Sequence, residues 1–150
     1  MIRPATEADA PVIAEIQART WRWAYGDFIA AEDMPVVAER VPRWREHIAA
    51  GGVRVFDQDG TVVGYAAVGE DELKSLYVDP AAQGAGVGSR LLADAEQRIR
   101  AAGHERAWLY VYADNAHGCA FYERHGWVPV GGVLGVGKWR APGRRYEREL

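Results

Sequence analysis

The stretch Gln83-Gly84-Ala85-Gly86-Val87-Gly88-Ser89 decides how this chain is read. Before it runs Glu72-Leu73-Lys74-Ser75-Leu76-Tyr77-Val78, a weakly alternating strand pattern that stops at Asp79-Pro80. After it, Val87, Leu91, Leu92, Ala95 and Ile99 recur at helical spacing. A strand therefore feeds through a glycine loop into a helix. Beyond Gly103 the apolar run Ala107-Trp108-Leu109-Tyr110-Val111-Tyr112 has strand length, and strand, helix, strand in that order predicts a parallel crossover. The small loop residues let backbone N–H groups of the first helical turn point at one spot. Their partial positive charge, with no Cβ atoms in the way, suits a phosphate. A glycine-rich turn without a ligand satisfies the same pattern.

Working outward, residues 2–5 read as a short strand, and Thr6 followed by Asp9 is a near capping box that opens a helix ending near Gly26. Val12, Ile16 and Trp23 fall near one face of it, flanked by Ile13 and Thr20. A second helix is predicted over residues 35–50, where Val37, Val41, Trp44 and Ile48 keep an amphipathic period up to Gly51-Gly52. Residues 53–56 and 61–68 are β-rich and joined by Asp57-Gln58-Asp59-Gly60, the signature of an antiparallel hairpin. Residues 116–125 form a short helix closed by Gly126, and residues 127–130 and 144–148 are closing strands. The cluster Gly131, Gly132, Gly135 and Gly137 between them is expected to be a flexible loop. The whole order predicts one α/β domain over residues 1–150, with helices flanking a single mixed sheet.

Composition narrows the function classes. The chain has 150 residues, 49% hydrophobic and 26% charged, with a formal net charge of −3. That length supports one complete core. No window reaches the ~20 apolar residues of a membrane span, and the N-terminus lacks the features of a signal peptide. A cytoplasmic protein with no membrane partner is expected. Cys119 is the one cysteine, so no internal disulfide forms, and the four histidines lack metal-ligand spacing. No metal is expected. Sixteen of the 18 basic residues are arginine, scattered among acids rather than gathered on one stripe. No nucleic-acid partner is expected.

Among phosphate ligands, a P-loop is excluded by the missing Gly-Lys-Ser/Thr. A dinucleotide fold is opposed by the five residues between strand and glycines and by the single crossover. The chain instead resembles the GCN5-related N-acetyltransferases. Gln83-x-x-Gly86-x-Gly88 is similar to that family's Arg/Gln-x-x-Gly-x-Gly/Ala acyl-CoA loop, preceded by Leu76-Tyr77-Val78-Asp79-Pro80 in place of its Leu-x-Val-x-Pro strand end. Asn115 and Phe121-Tyr122-Glu123-x-x-Gly126-Trp127 resemble a downstream family segment, with Trp for its usual Phe, and Arg3-Pro4-Ala5-Thr6-x-x-Asp9 looks familial as well.

The resemblance implies a sheet splayed between its fourth and fifth strands, with acetyl-CoA as co-substrate in the opening. Leu76, Tyr77 and Val78 would run beside the pantetheine. Amides of Gln83, Gly84, Ala85, Gly86, Val87, Gly88 and Ser89 would take the pyrophosphate. Asn115 would bond to the pantetheine arm, a role compatible with a plain helix N-cap. The reaction needs proton transfers, because an alkyl ammonium is only about 0.1% free amine at neutral pH, a deficit of roughly 4–5 kcal/mol. Glu72, eleven positions before Gln83, stands at the base spacing of histone-acetylating relatives, with Glu70 or Asp71 acting through water as fallback. A backbone N–H near Leu76 or Tyr77 would stabilise charge on the thioester oxygen. Tyr122 matches the family tyrosine that protonates the leaving thiolate. Cys119 reads as a small packing residue.

Trp21, Trp23, Tyr25 and Phe28 crowd the link between the first two helices, which lines the acceptor pocket in relatives. Trp21 and Tyr25, four apart, are the expected pocket pair for a small-molecule or peptide amine, in a monomer or homodimer. The alternatives are an acyl-CoA-binding sensor without catalysis and a small nucleotide binder.

Overall fold

A computed structural model describes residues 1–27, 29–136 and 141–150. Phe28 and Gly137, singled out above, lie outside the described residues. Strand β1 (Ile2–Pro4) leads through a turn of 3-10 helix (Glu7–Asp9) into helix α1 (Ala10–Tyr25). The capping box forms: the Thr6 backbone N–H donates to Asp9 Oδ2 at 2.7 Å, and the Thr6 hydroxyl lies 3.2 Å from the same oxygen. Arg3 locks this corner with paired bonds to the Asp9 carboxylate at 2.8 and 3.0 Å and a third to Asp57 at 3.0 Å. The buried stripe of α1 runs through Ile13, Ile16 and Thr20. Trp23, expected near that stripe, is 51% exposed, because the stripe is centred one position later than Val12.

Helix α2 (Val37–Ala50) buries Trp44, whose indole N–H donates to Gln17 of α1 at 3.0 Å. Strands β2 (Val53–Gln58) and β3 (Thr61–Gly69) form the expected hairpin. Asp59 and Gly60 both take positive φ, 53° and 91°, the geometry a two-residue hairpin turn with right-handed twist requires. Strand β4 (Glu72–Val78), helix α3 (Val87–Ala101) and strand β5 (Arg106–Tyr112) make the crossover, followed by helix α4 (Ala116–Arg124) and strands β6 (Val128–Val136) and β7 (Ala141–Glu149).

These strands form one seven-stranded sheet in the order β1-β2-β3-β4-β5-β7-β6, in which only β4 and β5 run parallel. The element order matches the sequence reading. The glycine cluster does not: Gly131, Gly132 and Gly135 belong to β6 rather than to a loop, with Gly135 paired to Pro142 of β7 and Gly131 and Gly132 in an irregular stretch of the ladder. Ladder hydrogen bonds need no side chains, and a register shift between Val130 and Leu134 accommodates Gly131 at φ 74°. Two hydrophobic clusters cover opposite faces, as alternation along β3 shows. Tyr65 and Ala67 pack with Ile13, Ile16 and Trp44, while Ala66 packs with Leu91, Leu92 and Ile99 of α3 and Tyr122 of α4.

The Arg3 corner joins β1, α1 and the β2–β3 turn, and its hydrogen bonds hold the Asp9 carboxyl below its ordinary value against the opposing pull of burial. A lowered folded value means that the contribution is complete at neutral pH and disappears as pH falls through the folded value. Asp9→Asn is expected to lower stability in urea by about 1–3 kcal/mol at neutral pH, with the gap from wild type closing below about pH 4.

Candidate active site

Strands β4 and β5 meet through one bridge, Glu72 to Trp108. The Trp108 backbone N–H donates to the Asp71 carbonyl at 3.0 Å, and its indole N–H donates to Asp71 Oδ1 at 3.1 Å. Towards their C-terminal ends the strands part around a cavity of about 830 Å³. Leu76, Tyr77 and Val78 form its β4 wall, and Leu109 to Tyr112 its β5 wall. On β4, Leu73 stands opposite Val68 and Ser75 opposite Ala67, leaving Lys74 as the extra residue of a bulge just inside the opening.

The glycine loop closes one end. Asp79 starts it, with Oδ1 accepting from the Ala81 N–H at 3.2 Å and Oδ2 from Arg19 of α1 at 2.7 Å. Gly84 and Gly86 take φ of 87° and 80°, which side chains rarely adopt, and a Cβ at either would meet nothing within 4 Å. That bare surface fits a pyrophosphate. Gly88 serves differently: a Cβ there would lie 3.4 Å from the Phe121 ring, so this glycine lets α3 approach α4 closely. Gln83, Gly84, Gly86, Val87, Gly88 and Ser89 all line the cavity, whereas Ala85 does not. The Gln83 amide donates to the Val78 carbonyl at 3.4 Å, and Ser89 Oγ lies 2.8 Å from His125 Nε2.

Trp21 and Tyr25 cross the opening from α1. Their ring centroids are 4.9 Å apart, and both pack edge-on against Tyr112 of β5. The Trp21 indole N–H donates to the Tyr77 hydroxyl at 3.0 Å, while the Tyr25 hydroxyl accepts from Asn115 Nδ2 at 3.1 Å. One helical turn thus ties β4 to the head of α4. Both rings line the cavity, yet both are buried and held in the wall. Asn115 also caps α4, its Oδ1 accepting from the Gly118 N–H at 2.9 Å.

Tyr122 lines the cavity from α4, with its ring against Phe121 and Trp127. Burial raises its hydroxyl well above the ordinary tyrosine value, and Tyr25 shares that shift for the same first cause. Tyr77 is pushed up to about 12 by burial, opposed by the Trp21 hydrogen bond. These phenols keep their protons at neutral pH.

Glu72 stands apart from this group. It occupies the bridge at the closed end and is not part of the cavity lining. Burial raises its carboxyl above the ordinary value, with Lys74 and Arg145 pulling down and Asp71 pushing up. The fallback acids are no closer: Asp71 is engaged by Trp108, and Glu70 sits in the β3–β4 turn at φ 54°. Among the described residues the lining carries no carboxylate. Its basic members are Lys74, His117, Arg124 and His125. Cys119 is buried with Sγ 3.8 Å from the Tyr112 carbonyl, a packing position. Among the described residues no three His, Cys, Asp or Glu side chains converge to hold a metal ion, and no helix is long and apolar enough to cross a membrane.

Among the lining residues that escaped the sequence reading are Tyr112, His117 and His125. Tyr112 was available from the alternation Trp108, Tyr110, Tyr112 along β5. His117, packed edge-on against Trp23 of α1 at 5.0 Å, and His125, which meets Ser89 of α3, had no local signal, because these contacts cross between helices.

Comparison with known proteins agrees with this geometry. A mycothiol acetyltransferase of Beutenbergia cavernae is 46% identical over 65 residues, covering 43% of this chain. The chain spans about a fifth of that curated relative, 21% of its length. A GCN5-related N-acetyltransferase structure from Rhodopseudomonas palustris superposes with TM-score 0.85 at 22% identity, covering 100% of this chain and 95% of that one. The PaiA N-acetyltransferase of Thermoplasma acidophilum, solved in complex with coenzyme A, superposes with TM-score 0.78 at 20% identity, covering 100% and 98%. The sequence model described as Acetyltransferase (GNAT) family matches residues 13–127, from α1 through both strands of the opening to the end of α4 and Trp127. By that match, which takes in most of the chain, this protein belongs to the acetyltransferase (GNAT) family.

Proposed function

We propose that residues 1–150 act as one domain that transfers an acetyl group from acetyl-CoA to a primary amine, by direct attack with both substrates bound. The observation that carries this reading is the parallel pair β4–β5 joined at one bridge and opening onto a bare glycine loop. A relative of the same fold is known with coenzyme A bound. In this reading the amides of Gly84 to Ser89 take the pyrophosphate, with Gln83 holding the loop to β4. Leu76, Tyr77 and Val78 flank the pantetheine arm, and Asn115 has a second amide hydrogen to offer it.

The acceptor nitrogen forms a bond to the acetyl carbon as the carbon–sulfur bond breaks, and the sulfur leaves as thiolate. Tyr122 gives that sulfur its proton, since its burial keeps the phenol protonated until the step. A backbone N–H of Leu76 or Tyr77, on the β4 edge that has no strand partner, stabilises charge on the thioester oxygen. One ammonium proton leaves through water to Glu72, whose carboxyl is raised by burial above its ordinary value, and the second nitrogen proton, lost as the amide forms, restores the Tyr122 phenol. Trp21, Tyr25 and the exposed Trp23 give the acceptor side an aromatic surface suited to a cationic small molecule or peptide amine. The missing carboxylate in the described lining is the observation that favours a CoA-binding module without catalysis.

Thiol release from acetyl-CoA over a panel of small amines and peptide N-termini separates the two readings. Turnover with at least one acceptor is expected; tight acetyl-CoA binding with no turnover across the panel supports the module. Tyr122→Phe is expected to lower kcat by about a hundredfold with little change in acetyl-CoA affinity. Glu72→Gln is expected to cut kcat/KM roughly tenfold or more near neutral pH and to remove the acid limb of the pH profile. In the wild type that limb lies above the ordinary glutamate range, because the base must be ionised and burial raises its value. Full activity in Glu72→Gln makes solvent the proton acceptor.

A further inference from the structure

His125 follows the last residue of α4 and lines the cavity beside the glycine loop. Its ring lies 4.5 Å from that of Phe121. Nδ1 is 2.7 Å from the Phe121 carbonyl oxygen, and Nε2 is 2.8 Å from Ser89 Oγ in the first turn of α3. A carbonyl only accepts, so Nδ1 carries a hydrogen. In the neutral ring Nε2 is then bare and accepts the hydroxyl proton of Ser89. The hydroxyl therefore spends its only donor on the imidazole, in a loop that otherwise offers donors to an anion.

An anion bound at the loop reverses that preference. Ser89 turns its proton to the phosphate oxygen, which would leave two lone pairs facing each other across the 2.8 Å gap. One proton taken from solvent at Nε2 restores the bond with its direction inverted, nitrogen now donating to Ser89 Oγ. Charged groups of both signs surround this corner. Arg148 of β7 donates to the His125 carbonyl at 2.8 Å but is paired with Glu96 of α3 at 3.2 Å. Glu123 and Arg124 of α4 carry opposite charges, and Arg90, next to Ser89, lies over the Phe56 ring at 4.9 Å. A bound pyrophosphate adds negative charge on the side of Ser89.

We propose that His125 is a positioning residue of the phosphate cradle, taking up a proton when the pyrophosphate of coenzyme A binds and thereby releasing the Ser89 hydroxyl to donate to it. The inference rests on the coenzyme A reading of the loop. Dephospho-coenzyme A is the probe, because its pyrophosphate is fully esterified and carries no group titrating near neutrality.

Calorimetric titration in two buffers of different ionisation enthalpy counts the protons. The full chain is expected to take up roughly half a proton per ligand near pH 7, with affinity falling about three- to tenfold per pH unit above neutrality. The sign follows from linkage, since a group that binds its proton more tightly in the complex favours binding at low pH and loses that advantage as pH rises. His125→Gln keeps an amide donor for Ser89 and is expected to bind with no proton uptake and no slope across this range. Ser89→Ala, which cuts the link from the other side, is expected to bind several-fold more weakly and also without uptake. Wild-type binding without proton uptake, or unchanged uptake in His125→Gln, overturns the role of His125 and leaves the proposed function standing. Failure of the wild type to bind either dephospho-coenzyme A or acetyl-CoA overturns both.

Discussion

A parallel strand pair that meets at a single bridge is the constraint from which the site follows. Unpaired backbone groups buried in a protein cost about 1–3 kcal/mol each, so a sheet does not stay open without other partners for its edges. Here the closed end is doubly fastened by Trp108, whose backbone and indole N–H groups both reach Asp71. At the far end the Val78 carbonyl accepts from Gln83 at 3.4 Å and lies 3.5 Å from the Thr20 hydroxyl. Between these points the strand edges face a cavity rather than each other, and their polar groups remain available to a ligand.

The cavity is walled by phenols, with carboxylates kept out of the described lining. Tyr25, Tyr77 and Tyr122 lose little solvation as neutral donors, whereas a carboxylate in the same wall would pay for burying charge. A wall of this kind is suited to giving protons and poorly suited to taking them. The phenols stand inside the opening, and the Glu72 carboxyl stands half-buried at the strand bridge outside it.

Features carried by local chemistry were legible without coordinates. The Asp59-Gly60 turn, the helical period after the glycine loop, and the strand–helix–strand crossover each depend on residues close in the chain. The start of strand β6 was legible at residues 127–130, but its continuation over residues 131–136 was not, because glycines have low strand propensity. The place of Glu72 relative to the opening was hidden for another reason. Alternation assigns a residue to a face, but it tells neither where along β4 the pairing with β5 ends nor that a bulge falls at Lys74. The Ser89–His125 and Tyr25–Asn115 contacts join positions 36 and 90 residues apart, and nothing in either segment alone announces them.

The tie made by Trp21 and Tyr25 separates two kinds of sequence change. One turn of α1 reaches both Tyr77 and Asn115, so the width of the opening is set by residues before Gly26. The described residues of the connection that follows, up to α2, are mostly exposed and add little to the core apart from Pro35. Substitutions in that connection can therefore accumulate without altering the gap between β4 and β5. A lineage can vary that connection freely while inheriting the spacing of the two strands unchanged.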